Sequence, residues 1–567
     1  MNALYGGTST SKLFLNVREK LSLCYYASST YVRSKGILTV SSGIETADYD
    51  RAEAEILRQL DEIRQGLWED WELTAARESL LSALQALGDS QGALENYYLG
   101  QSATGRRETP EEMAALLRQV TPGAHPGGSP ECAAGYHLLP EGKGGVRMYY
   151  PRIDETVTFR RLKNGLPAYV VHKPGYTRKY AMFATRYGGM DLRFQQDGAW
   201  QDTPAGIAHY LEHKMFDTAD GNAMQEMAKN GAEPNAFTSN AMTAYYFDCT
   251  EHFDENLRQL LSFVSVPYFT DESVAKEQGI IAQEIGMIED DPEWQVYKRM
   301  LQALYRESPA RIPVAGSVES ISHITAETLY RCHKAFYTPA NMCLVAVGDL
   351  DAEAVFRAAE DILPPESGPD IPRDYGGSEG ETPAQSETSC RMEVSMPSFL
   401  VGFKCPAPPE GEQRLRWDIL GDLACDILMG DSSPLFSRLY SQGLINGSFG
   451  SSFDLLPGAA YAYAGGDSKD ANAVTDAILR EAARIAAEGV DEDYFRRIRK
   501  ASFGANLRGL NSFENIAVTL TEGYFHGYDP LRFPEVFESI TPEDVAAFLK
   551  TNVTAERMVL SRIVPKQ

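Results

Sequence analysis

The sequence predicts an α+β fold made of several units with mostly antiparallel sheets, and three observations lead there. Helical and strand-like segments are interleaved without the regular β-α-β alternation of a parallel sheet. Short segments such as Gly36-Ile-Leu-Thr-Val-Ser-Ser-Gly43 and Tyr461-Ala-Tyr-Ala-Gly465 have the composition and alternation of strands. The order of elements near the start also recurs near the end: Leu13-Phe14 corresponds to Leu435-Phe436 and Ile56-Leu57 to Ile478-Leu479, both at the same offset along the chain.

A chain of 567 residues with 43% hydrophobic content is long enough for three or four structural units, each with a core. Two interruptions divide it. Residues 123–145 carry Gly123, Pro126-Gly127-Gly128, Pro130, Pro140 and Gly142 and read as a linker. Residues 364–389 are rich in Ser, Gly, Pro and acids, poor in apolar side chains, and read as a second. The blocks are therefore 1–122, 146–363 and 390–567.

In the first block Ile56, Leu60 and Ile63 mark an amphipathic helix ended by Gly66, and Glu69-Asp70 opens the next helix. The third block repeats this with Ile478, Ala482 and Ile485 before Gly489, then Asp491-Glu492-Asp493. In the central block Thr156-Val-Thr-Phe159 and Ala168-Tyr-Val-Val171 flank Asn164-Gly165 as a hairpin, and Met342-Cys-Leu-Val-Ala-Val347 is a strand ending at Gly348-Asp349.

Composition excludes some partners. A net charge of −26 repels a phosphate backbone, so no nucleic acid is expected. If part of that charge lines a cavity, basic peptides are favoured there. No apolar run approaches the roughly 18 to 20 residues of a membrane span, and the start lacks the features of a signal peptide. Cysteines 24, 132, 249, 332, 343, 390, 405 and 425 fall singly, as reduced thiols do. The expected location is the cytoplasm, without membrane contact.

The chemistry is concentrated in His209-Tyr-Leu-Glu-His213. Residues three and four apart share a helix face, so His209, Glu212 and His213 can meet at one point. Two imidazoles can hold a zinc ion, which allows water to ionise near pH ~7, and a carboxylate beside it can take the proton. Thr203-Pro-Ala-Gly206 leads in as a turn, while Ala208, Leu211, Met215 and Phe216 give the helix an apolar stripe. A catalytic zinc takes three protein ligands, so a carboxylate from elsewhere is needed. The best source is Glu277-Gln-Gly-Ile-Ile-Ala-Gln-Glu284, an amphipathic helix with its two glutamates a heptad apart on one face.

These segments resemble the insulinase family of inverted-motif zinc peptidases. The resemblance runs through Gly206-Ile-Ala-His-Tyr-Leu-Glu-His213, Gly231-Ala-Glu-Pro-Asn-Ala-Phe-Thr238, Lys276-Glu-Gln-Gly-Ile-Ile-Ala-Gln-Glu-Ile285 and Tyr337-Thr-Pro-Ala-Asn-Met342. It implies that Glu284, well downstream of His213, is the third metal ligand and that Glu277 supports the site from behind the ligands. It implies one zinc ion per chain, Glu212 as general base, and a strand carrying Asn235 and Ala236 whose open edge pairs with an extended substrate.

The family is built as a clamshell of repeated domains in which an Arg and a Tyr, seven apart, reach the metal from the opposing half. Arg18 and Tyr25 have that spacing, whereas Tyr440 and Gly447 stand at the corresponding positions of the later copy. By resemblance, 1–122 is thus a partial partner-type C-terminal domain, 146–363 the zinc-binding domain and 390–567 its non-metal C-terminal domain. Met1-Asn-Ala-Leu-Tyr-Gly-Gly enters the first domain after the strands and helix that the family places before it. A second insulinase-like subunit or a homo-oligomer is the expected partner, and peptides or unfolded polypeptides are the expected substrates of a zinc endopeptidase. The alternative is a non-catalytic or partner-dedicated assembly protein, similar in context to bacterial pairs linked to elongation factor P modification.

Overall fold

A computed structural model of the chain describes residues 1–32, 37–44, 46–103, 106–120, 146–377 and 379–566. Cys132 and the 123–145 segment read as a linker lie outside the described residues. The fold is α+β, with sheets that are mostly antiparallel.

A seven-stranded sheet organises the centre, in the order Glu233–Thr238, Thr243–Cys249, Lys179–Thr185, Met342–Gly348, Pro167–His172, Glu155–Arg161 and Val146–Tyr150. Its neighbours are antiparallel except Met342–Gly348 against Pro167–His172. The hairpin Glu155–Arg161/Pro167–His172 closes over Asn164, whose Oδ1 accepts from Leu166 N at 3.2 Å, and Gly165, whose φ of +88° suits a residue without Cβ.

Every residue of Met342–Gly348 is buried because both sheet faces are covered, which is why that strand reads as an unbroken apolar run. Leu344 and Ala346 pack with Tyr210, Leu211 and Phe336 on one face. Cys343, Val345 and Val347 pack with Phe399, Ala517 and Leu520 of the third block on the other. At the far end of the sheet, Glu233–Thr238 pairs with Thr243–Cys249 alone among the described residues, which leaves one edge open.

The third block contains a five-stranded sheet ordered Glu387–Met392, Met558–Pro565, Ser398–Cys405, Ala459–Asp467 and Gly450–Leu456, the first pair parallel. Helix Glu412–Met429 packs so tightly on it that a Cβ on Gly421 would lie 2.1 Å from the Phe453 ring. The first block is a hairpin, Cys24–Val32 with Ile37–Ile44, followed by helices Tyr49–Arg64, Asp70–Gln85, Gln91–Ala103 and Pro110–Arg118. Element starts at 37, 49, 70 and 91 recur at 459, 471, 492 and 513, the same constant offset that the sequence repeat shows.

Polar contacts dock the first block on the centre. Asp89 accepts from the backbone N–H of Thr177 and Arg178 at 3.1 and 2.7 Å, and Gln283 Nε2 donates to Ser22 O at 3.2 Å.

Residues 364–389 differ from a free linker. Ile371 is buried, Arg373 Nε lies 3.0 Å from Asp191 Oδ1, and Glu379 accepts from the backbone N–H of Arg306, Glu307 and Ser308. The strand Glu387–Met392 already begins inside this segment. Its polar side chains are spent on distant partners, a use that composition does not reveal. Among the described residues, no helix is long and apolar enough to cross a membrane.

Candidate metal centre and the cavity around it

Helix Ile207–Lys214 starts at Gly206, whose φ is +93° and where a Cβ would come within 2.5 Å of Ala315 O. Only glycine fits a left-handed turn so close to another backbone. The helix then buries Ile207, Ala208, Tyr210 and Leu211, and Tyr210 Oη donates to Val274 O of helix Asp271–Asp290. That second helix is started by a capping box between Thr270 and Ser273 and is held inward by Val274, Ile280, Ile281 and Ile285. The two helices bring their polar faces together.

There His209 Nε2 lies 3.4 Å from Glu284 Oε1, and His213 Nε2 lies 3.5 Å from Glu284 Oε2. The potential ligand atoms of His209, His213 and Glu284 all fall within 4.8 Å of one another. His213 Nδ1 is 3.0 Å from Glu277 Oε1. An ionised carboxylate only accepts, so Nδ1 donates to Glu277, and Nε2 is the nitrogen that faces Glu284.

Burial alone would push the His213 imidazole down, but the hydrogen bond and charge of Glu277, with Glu212 and Glu284, lift it to about 9. Burial would raise Glu277, yet His213, Lys214 and Arg18 bring it down to about 2. Glu284 is likewise held below the usual carboxylate range despite burial, chiefly by His209 and His213.

Whether these residues suit a cation is tested by their unmet valences. Among the described residues, Glu284 Oε2 and His209 Nδ1 are buried without a hydrogen-bond partner. A buried carboxylate oxygen so placed is costly unless something positive meets it. Two imidazoles and a carboxylate around one point are also the donor set that divalent zinc prefers, so the residues fit.

The centre opens into a cavity of about 1000 Å³ whose lining includes Arg18, Tyr25, His209, Glu212, His213, Asn235, Ala236 and Glu277. Glu284 sits just behind, 7% exposed. Arg18 and Tyr25 are thus brought from the first block to the cavity that His209 and His213 line. The Arg18 guanidinium stands 4.7 Å from the Phe14 ring and 5.5 Å from the Tyr25 ring and pairs with Glu19 at 3.1 Å. Burial, then the charge of Glu284, holds the Tyr25 phenol well above its ordinary range. Tyr440, the counterpart of Arg18 in the later copy, is 56% exposed. On the strand edge, Asn235 Oδ1 accepts from Ala236 N at 2.9 Å.

Residues that the sequence does not single out also meet here. Five further carboxylates, Glu19, Asp217, Glu233, Asp248 and Glu514, line the cavity, against Arg18 as its one lining guanidinium among the described residues. Thr238 Oγ1 donates to Glu212 Oε2 at 2.9 Å. Glu19 could have been noticed beside Arg18; Glu514 arrives from the third block and carries no local signal.

A pair of imidazoles, a buried carboxylate as the third possible ligand and a further acid beside them make a candidate metal centre on an α+β scaffold. The profile described as insulinase (peptidase family M16) matches residues 196–318, and that of the peptidase M16 inactive domain matches residues 1–80 and 323–502. A Bacillus subtilis protein named uncharacterized zinc protease YmfH is 38% identical over 427 residues, covering 74% of this chain and 98% of its own length. The crystal structure of an M16-like peptidase from Alicyclobacillus acidocaldarius is 33% identical with a TM-score of 0.71, covering 74% of this chain and 100% of its own. A protease from Helicobacter pylori, 17% identical, covers 72% of this chain and 99% of its own at a TM-score of 0.63 and shares the fold alone. The chain belongs to the insulinase family, peptidase family M16.

Proposed function

We propose that this protein is a zinc-dependent endopeptidase that hydrolyses peptide bonds in short or unfolded polypeptides. The observation that carries the reading is the convergence of His209, His213 and Glu284 within 4.8 Å, with Glu212 lining the same cavity. One zinc ion held by those three ligands would polarise the scissile carbonyl and make water acidic enough to be deprotonated. Glu212 takes that proton and passes it to the leaving amine. Glu277 fixes the His213 ring from behind.

The open edge at Asn235 and Ala236 pairs with an extended substrate backbone, which explains a preference for unfolded chains. Arg18 holds a substrate carbonyl or carboxylate. Tyr25, kept protonated, donates to the carbonyl oxygen as charge develops there. The carboxylates around the cavity favour basic peptides, so cleavage of these over acidic ones should weaken as salt is raised.

In this reading residues 1–122 are the partner-type domain, 146–363 the zinc domain and 390–567 its companion, and a second insulinase-like subunit or a second copy completes the chamber. All seven cysteines among the described residues are unpaired, in keeping with the cytoplasm.

The deciding experiment is cleavage of a quenched-fluorescence peptide library together with zinc analysis. A chelator should abolish turnover and zinc should restore it. Glu212→Gln should keep its zinc and lose about 10³-fold or more in kcat. Retained cleavage by the zinc-loaded variant removes Glu212 as base, and a zinc-replete wild type that cleaves nothing removes the whole reading.

A further inference from the structure

Thr238 closes the edge strand Glu233–Thr238, lines the cavity, and gives its hydroxyl to Glu212 at 2.9 Å. The direction of that bond is fixed by its surroundings. An ionised carboxylate only accepts. The competing acceptor, Thr243 Oγ1, is 3.4 Å away and sends its own proton to Tyr187 O at 2.9 Å. Thr243 is also the cross-strand partner of Thr238 and is fully buried, so the hydroxyl stands on a fixed base. Thr243 pairs in turn with Thr185, which donates to Phe336 O at 2.7 Å. A glutamate on a helix has three side-chain torsions, and this bond ties one oxygen, Oε2, while leaving Oε1 to take a proton.

We propose that Thr238 is a positioning residue that couples occupancy of the strand edge to the aim of Glu212. The contact rests on no other reading; its kinetic meaning rests on Glu212 being the base. A peptide that adds along Glu233–Thr238 stiffens the strand whose last residue holds the carboxylate. Longer peptides therefore raise kcat as well as lower KM, since binding energy gained along the edge is spent on orienting the base.

The test uses the full chain loaded with zinc, the variants Thr238→Val and Thr238→Ser, and quenched peptides of increasing length. Thr238→Val should lower kcat about 10- to 100-fold with KM within about twofold and zinc affinity, measured by chelator competition, unchanged. Its kcat should no longer rise with peptide length, and Thr238→Ser should restore both values. A Thr238→Val enzyme with wild-type kcat, a loss confined to KM, a loss of zinc affinity, or failure of serine to rescue would each overturn the proposal. A crystal structure of zinc-loaded Thr238→Val supplies a readout independent of turnover. The Glu212 carboxylate should leave the orientation it holds beside Thr238, and an unmoved carboxylate overturns the proposal even if the wild type cleaves nothing.

Discussion

The hairpin and three helices of residues 24–103 are matched by those of 450–526, with starts at one constant offset from the second strand onward, but the two copies are stabilised by different means. In the later copy the strand Ala459–Asp467 is flanked by Gly450–Leu456 and Ser398–Cys405, and most of its residues are buried. In the earlier copy Ile37–Ile44 pairs, among the described residues, only with Cys24–Val32 and has no fully buried residue. Its core is a small cluster around Leu4, Tyr5, Leu13, Val17 and Ala52, supplemented by polar contacts to the central block. A copy with a broad sheet can leave positions 440 and 447 idle. The copy with a narrow one lies against the helices that carry His209, His213 and Glu284 and places Arg18 and Tyr25 beside them. One scaffold thus packs against a broad sheet in one place and lines the cavity beside His209 and His213 in the other.

The largest effect expected from this contrast is on local stability. Lys12 is buried between Glu62 and Glu72, at 3.4 and 3.5 Å, where the later copy has Pro434. Lys12→Met strands Glu72 without its cation and should cost the first block about 3 to 5 kcal/mol. Hydrogen exchange should speed up over residues 1–118 while 387–566 stay protected. Equal loss in both would mean that the copies unfold as one unit and would break the comparison.

A smaller effect concerns activity. Arg18→Ala and Tyr25→Phe should each lower kcat/KM about 100-fold, and Tyr440→Ala should stay within about twofold, as peptide cleavage assays would show. Matching effects at 18 and 440 would dissolve the functional asymmetry.

The smallest effect is a pH dependence confined to the third block. Asp418, on helix Glu412–Met429, is pushed up to about 6 by burial, with Asp454 adding to the rise and Arg414 opposing it. Its folded pKa lies above the unfolded value of about 3.9. The folded state therefore favours the protonated form, a contribution fully present below about pH 4 and lost as pH rises through about 6. Asp418→Asn should melt higher than wild type near pH 8, where the buried carboxylate is charged, and equally at about pH 4. A difference that persists unchanged at acid pH would assign the effect to packing.

Much of the site could be read from spacing alone. His209, Glu212 and His213 fall on one helical face because three and four residues make about one turn, and Glu277 with Glu284 lie two turns apart. The hairpin over Asn164-Gly165 and the strand ending at Gly348 are equally local. What could not be read is set by long-range packing. The place of Met342–Gly348 in the middle of the sheet, the hydroxyl of Thr238 on Glu212, and the arrival of Glu514 in the cavity depend on tertiary contacts that leave no periodic mark. The strap around Arg373 and Glu379 was obscured for the opposite reason, since its residues have the composition of a linker and reveal their partners only in three dimensions.

An unpaired strand edge carries a liability of its own, because its free N–H and C=O groups can template growth of a sheet between molecules. Glu233–Thr238 is such an edge. Here it forms a wall of a cavity partly closed by the first block, and Ser79 bonds Glu233 at 3.0 Å where the strand begins. The first block lines the same cavity and narrows the approach to that edge, and Pro234 removes one donor from the row. Cover from the first block and the missing donor both work against pairing between molecules along this edge.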